Sequence, residues 1–164
     1  MSQGTYPLTH YRAKNESAGT SPDSRLNDSE RIENMAELIA GIKGKNETTV
    51  TEELCANAWG SGGLPVYATP AMIALMENTA WGSVEPYMEE GRSTVGTKLD
   101  VSHLSASPIG AHITCESELT EVDGRRLVFR VSASDDAGLI GEGVHERFII
   151  NIEKFMARTE AKLK

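Results

Sequence analysis

At 164 residues and 39% hydrophobic content the chain suits one domain with its own core, and nothing in its length forces a second. A formal net charge of −8, with no Lys/Arg cluster, argues against nucleic-acid and membrane-surface partners. No apolar run approaches the ~18 residues of a membrane span, no signal-peptide pattern opens the chain, and Cys55 and Cys115 lie far apart without metal-ligand spacing, so a soluble cytoplasmic protein with no metal site is expected.

Residues 1–34 are rich in Ser, Asn, Asp, Gly and Thr and poor in aliphatics, which predicts a disordered N-terminal extension before a folded domain at 35–164. Met35 opens a more apolar run, so the natural start could lie there; a short docking helix over Ile32 to Ala40 is the other reading. Thr48 to Leu54 is β-branched and alternating and predicts a strand. Gly60 to Gly63, then Leu64 and Pro65, reads as a flexible connection; it lacks the Lys of a phosphate-binding loop.

A long helix is predicted over Thr69 to Glu90, with Thr69 as N-cap and Pro70 at the first helical position. From Ala71 to Trp81 nearly every residue is apolar, so the helix should be buried on most sides. Glu77 is the one ionisable residue between Tyr67 and Val84, on a stripe with Ile73, Trp81, Val84 and Met88. A carboxylate on such a face needs a hydrogen bond or a cation, so Glu77 is a site residue, half of a salt bridge to an Arg, or at an exposed seam of the helix.

Four strands follow, separated by turns. Ser93 to Ser105 sets Val95, Leu99, Val101 and His103 on one face and Gly96, Lys98, Asp100 and Ser102 on the other. Ala111, Ile113, Cys115, Ser117 and Leu119 are the inward set of the next. Asp123-Gly124 signals a hairpin into Leu127, Phe129, Val131 and Ala133. The last strand runs from Leu139 to Asn151, and Ile152 to Lys164 forms an amphipathic helix with Phe155, Met156 and Leu163 on its apolar face. The fold class is α+β: a curved antiparallel sheet around one long apolar helix. Its open edges favour a homodimer that continues the sheet.

Thr69, Glu77 and His103 gather on the inner side of this scheme. Hydroxyl, imidazole and carboxylate are the parts of acyl transfer or hydrolysis, and the first N–H groups of the helix, around Ala71 and Met72, could hold an oxyanion. Eight helical residues separate Thr69 from Glu77 by about 12 Å, so either His103 and substrate lie between them or one subunit's carboxylate serves the other's site. Plain N-capping for Thr69 and a core role for His103 are the alternatives. His145, Glu146 and Arg147 read as a structural ion pair within the sheet or dimer seam, and Trp59, Trp81, Met72, Met76 and Met88 as core and interface filling.

Four runs carry a resemblance: Val66-Tyr67-Ala68-Thr69-Pro70-Ala71-Met72 with Leu75-Met76-Glu77; Thr94-Val95-Gly96-Thr97 with Ser102-His103; Val122-Asp123-Gly124-Arg125-Arg126-Leu127; and Gly141-Glu142-Gly143-Val144-His145-Glu146-Arg147. In this order, over roughly 45–156, they closely resemble the fluoroacetyl-CoA thioesterase-like family of hotdog proteins. The resemblance implies a homodimeric hotdog fold that hydrolyses short acyl-CoA thioesters, the thioester being substrate and no cofactor being needed. It puts Thr69, Glu77 and His103 at the family's catalytic positions and Gly96 near the acyl and pantetheine chain, with Leu64, Pro65, Ala71 and Met72 as further substrate contacts. Fluoroacetyl-specific members carry a bulky aromatic in the lid where this chain has Gly62-Gly63-Leu64-Pro65, so the resemblance does not carry fluoroacetate selectivity over. Two competitors remain: a non-catalytic acyl-CoA binding or sensing dimer, for which no DNA-binding helix pair is visible, and hydration or dehydration of the acyl chain.

Overall fold

The computed structural model describes residues 37–163. The extension expected at 1–34 and the reading of Met35 as a start lie outside them; of the docking-helix alternative only 37–40 is described, and that part is not helical. Strands β1 (Lys43–Thr49), β2 (Arg92–His103), β3 (His112–Asp123), β4 (Arg126–Asp135) and β5 (Gly138–Asn151) form one antiparallel sheet in the order β1-β3-β4-β5-β2. Helices α1 (Ala56–Trp59), α2 (Thr69–Val84) and α3 (Ile152–Glu160) complete the described fold.

Period-two alternation makes the inner face. Ile113, Cys115, Ser117 and Leu119 on β3 and Leu127, Phe129, Val131 and Ala133 on β4 are buried, as their spacing predicts. Against them α2 sets Ala71, Met72, Leu75, Met76, Thr79, Ala80 and Val84. Each large aliphatic buried this way contributes roughly 1.5–3 kcal/mol. At the β3–β4 hairpin Asp123 pairs with Arg126, leaving a two-residue turn in which Gly124 takes φ +56°.

Several boundaries differ from expectation. β1 is Lys43–Thr49, not Thr48 to Leu54: its inward positions include Gly44 and Asn46, which carry no hydrophobic signal, and Glu52–Leu54 leaves the sheet as a 3-10 turn. At Gly44 a Cβ would lie 2.7 Å from the Thr79 carbonyl oxygen and 2.8 Å from Ser83 Cβ, so the helix packs here because the side chain is missing. α2 ends at Val84 rather than Glu90, because Pro86 has no N–H for the helical ladder, and Glu85–Tyr87 tightens into a 3-10 turn. Its N-cap is Ala68; Thr69 and Pro70 fall inside the first turn, with no side-chain cap.

On β2 the register with β5 shifts between Gly96 and Lys98. This bulge resets the alternation, so Gly96, expected outside with Lys98, turns in toward α2: a Cβ there would meet Glu77 Oε1 and, at 3.2 Å, His145 Cε1. After β5, the side chain of Asn151 caps α3 by accepting from the Lys154 N–H at 3.0 Å, and the helix continues as a 3-10 turn over Ala161–Leu163.

Candidate active site

The helix start is pinned before it begins. Tyr67 N–H donates to the Ser107 carbonyl and Ala68 N–H to that of Leu54, both at 2.9 Å, fixing the entry of α2 to two loops. Thr69 is thereby presented beside the last residue of β2, and its Oγ1 lies 2.8 Å from His103 Nδ1. With Ala68 as N-cap, the Thr69 hydroxyl is not spent on its own helix. The Met72 N–H, expected to be free, instead donates to the Ala68 carbonyl, because the cap sits one residue earlier than predicted. The N–H groups of Thr69 and Ala71 remain outside the intrahelical ladder, at its positive end.

His103 Nε2 is buried and has no hydrogen-bond partner among the described residues. Beside the pair lies a cavity of about 290 Å³ bordered by Ala56, Ser61, Val66, Tyr67, Leu104 and Ser105. Of the expected substrate contacts, Leu64 and Pro65 are exposed on the loop before α2, while Ala71 and Met72 are fully buried. Met72 packs its thioether where a Cβ on Gly141 would be, 2.6 Å from Sδ.

Glu77 sits elsewhere. Two turns along α2, it lies over Gly96, with Oε1 3.9 Å from His145 Nε2 and 4.0 Å from Arg147 Nη1, and its side chain is 39% exposed. The Arg partner foreseen as the bland alternative is therefore present, but inside a buried polar cluster. Arg147 donates from Nε to Thr94 Oγ1 and from Nη2 to the Thr94 carbonyl, both at 2.8 Å. Burial pulls its guanidinium below the ordinary value, and Glu77 and Glu85 push it back up. Burial is also the main cause holding His145 below the usual histidine value; Arg147 adds to it, while the Lys98 carbonyl and Glu77 oppose it.

The structural ion pairing expected within the sheet for His145, Glu146 and Arg147 is present, divided between the two faces of β5. Successive strand residues face opposite ways, so Glu146 meets Lys98 and Arg126 on the outer face while His145 and Arg147 turn in to Glu77. These two are the site residues the sequence reading missed. The signal was there in period two, with positions 145, 147 and 149 sharing the face that ends in buried Ile149.

A sheet with one apolar helix in its concave face, and a hydroxyl–imidazole pair at that helix's start, define a hotdog-fold protein of the thioesterase class. The sequence profile of the fluoroacetyl-CoA-specific thioesterase (FlK) family matches residues 50–153. The chain is 44% identical over 97 residues, 59% of its length and 70% of the relative's, to a fluoroacetyl-CoA thioesterase of Streptantibioticus cattleyicolor. A crystal structure of the fluoroacetyl-CoA thioesterase FlK superposes with TM-score 0.74 at 34% identity, over 77% of this chain and 98% of that one. A Thermus thermophilus protein described as a thioesterase superfamily member gives 0.71 at 29% identity, over 77% and 94%. This chain belongs to the fluoroacetyl-CoA-specific thioesterase family.

Proposed function

We propose that this protein hydrolyses short-chain acyl-CoA thioesters to the free acid and CoA, with water as the only co-substrate and no cofactor. The observation that carries this reading is the 2.8 Å approach of Thr69 Oγ1 to His103 Nδ1 at the start of α2. With the Nδ1 lone pair accepting the hydroxyl proton, His103 serves as the base for Thr69 or for a water held beside it. The Thr69 and Ala71 N–H groups are placed to stabilise the oxygen that gains charge as the thioester carbonyl is attacked. Collapse of that intermediate expels the CoA thiolate, which takes up the proton from His103; where Thr69 attacked, a water deprotonated by His103 then cleaves the acyl-Thr69 ester to the free acid and restores the hydroxyl. A mutant of FlK has been crystallised with fluoroacetate and CoA, which supports acyl-CoA as the ligand class.

In this reading Glu77 completes the site from a second protomer. Edge strand β1 is guarded by Lys43, Lys45 and Glu47, whereas edge strand β2 is longer and carries Val95, Leu99 and Val101. The face of α2 beside β2 is apolar yet half open, with Ile73, Ala74 and a 38% exposed Trp81 around Glu77. A two-fold axis at the β2 edge covers that face and runs the two strands antiparallel. The His103 end of one then lies beside the Gly96 region of the other, and the orphaned Nε2 of His103 gains the partner's Glu77 as an acceptor. The buried free thiols of Cys55 and Cys115 fit a reducing cytoplasm.

Release of CoA thiol from acetyl-, propionyl- and butyryl-CoA tests the reading. Wild type should turn over, and Thr69→Ala, His103→Ala and Glu77→Gln should each lose at least roughly 100-fold in kcat/KM. Tight acyl-CoA binding by wild type without thiol release would instead identify a non-catalytic binder, and acyl-chain hydration with no free CoA a hydratase.

A further inference from the structure

The cluster behind Glu77 contains one group to which the mechanism above gives no task. His145 is fully buried and lies between four elements: Arg147 on its own strand, the Lys98 carbonyl on β2, Glu77 on α2 and the Phe129 ring on β4, with centroids 6.3 Å apart. Its Nδ1 is 2.9 Å from the Lys98 carbonyl oxygen. A carbonyl only accepts, so Nδ1 carries the proton and donates it. In the neutral ring Nε2 then holds a lone pair, and 3.1 Å away lies Arg147 Nη1, which only donates. Both contacts are satisfied by one tautomer alone.

We infer that His145 is a positioning residue: locked as the neutral Nδ1–H tautomer, it accepts from Arg147 Nη1 and so aims the guanidinium at Glu77 Oε1. The inference rests on the thioesterase reading for its consequence but not for its geometry. Thr94 fixes Nε and Nη2 of Arg147, and His145 fixes Nη1, so three hydrogen bonds set the plane of the guanidinium. One N–H of Nη1 is left toward the carboxylate 4.0 Å away. A proton on Nε2 would reverse the arrangement. The ring would become a donor beside an N–H donor, the Arg147 contact would be lost, and the new N–H, 3.9 Å from Oε1, would compete for the same carboxylate oxygen. The other charged group acting on this cluster is Glu85, which favours the Arg147 cation; Lys98 and Glu146 pair with each other on the outer face.

The kinetics of two variants and two spectroscopic readouts test this. Gln at position 145 keeps a carbonyl that can accept from Arg147, whereas Leu fills similar space with no acceptor. His145→Leu should lose roughly 10- to 100-fold in kcat with a much smaller change in KM, and His145→Gln should recover most of it. In long-range ¹H–¹⁵N spectra of labelled wild-type protein near pH 7.5, Nδ1 of His145 should be pyrrole-like and Nε2 pyridine-like. The Arg147 Nε–H signal should be protected from exchange in wild type and His145→Gln, and lost in His145→Leu. An Nε2–H or doubly protonated ring, unchanged kcat in a folded His145→Leu, or a Gln variant as impaired as the Leu variant would each overturn the inference. If wild type releases no CoA, the thioesterase reading fails while the tautomer and the exchange of Arg147 still decide this one.

Discussion

Gly96 shows how strictly the site limits side-chain volume. A Cβ at this position falls on Glu77 Oε1 and within 3.2 Å of His145 Cε1, and neither can withdraw without leaving Arg147. Gly96→Ala should therefore reduce kcat/KM roughly 10- to 100-fold while the far-ultraviolet spectrum stays native, because the change displaces the carboxylate rather than the core. Steady-state kinetics on the same acyl-CoA panel check it, and an Ala variant as active as wild type would mean that Glu77 does not need this position. A second residue-scale prediction concerns the thiols. Cys115 is fully buried and pushed up to about 11 by burial, and Cys55 is almost as deeply buried. Neither should react quickly with a thiol reagent at pH 8 until the protein unfolds, so the same reagent reads CoA release against a quiet background. Of the candidate site, Glu77 and His103 stood out as polar residues on apolar periodic faces and Thr69 as an expected N-cap; the structure joins Thr69 to His103 and sets Glu77 apart with His145 and Arg147. His145 and Arg147 were read only as structural ion pairing within the sheet or dimer seam, because nothing in the sequence shows that their face of β5 lies against Glu77.

At the scale of elements, legibility followed hydrophobic contrast. β3 and β4 alternate large apolar and polar residues, and the observed inner sets are those the period predicts. β1 does not, because its inward residues at 44 and 46 are a glycine and an asparagine: Gly44 lets α2 approach, and Asn46 donates to Asn78 Oδ1 at 2.7 Å. No periodicity of greasy residues records a contact made by absence. The bulge at Thr97 was hidden for a related reason, since a one-residue insertion in a ladder changes which face a residue occupies without changing its type. The β1–α2 contact yields its own prediction. Gly44→Val must push into Ser117 Oγ, Thr79 O and Ser83 Cβ, all within 2.8 Å of the added carbon, and overpacking of this kind costs about 1–3 kcal/mol. Urea denaturation should show the midpoint fall with an unchanged slope; an unshifted midpoint would mean that helix and strand separate there at no cost.

For the whole molecule, the half-open side of α2 and the long β2 edge make one demand together, which the proposed second copy of the chain would meet. Sedimentation should give twice the 17.8 kDa chain mass, and Trp81→Lys, which sets a charge in the covered face, should give monomers that have lost turnover. The buried polar cluster also couples the stability of the molecule to pH. His145 has its ordinary value, 6.5, in the unfolded chain and a lower one in the fold, first because burial disfavours the cation and then because Arg147 repels it. As pH falls below 6.5 the unfolded chain takes up a proton that the folded site refuses, so this contribution to stability is complete above that value and is lost as pH falls toward the folded one. Glu77 and the Lys98 carbonyl reduce the effect without reversing its sign, since the net direction is downward. His145→Gln removes this titration and leaves those of the surface carboxylates in place. The difference between urea midpoints at pH 7.5 and pH 5 should accordingly be smaller in His145→Gln than in wild type, and equal differences would show that the imidazole titrates alike in both states.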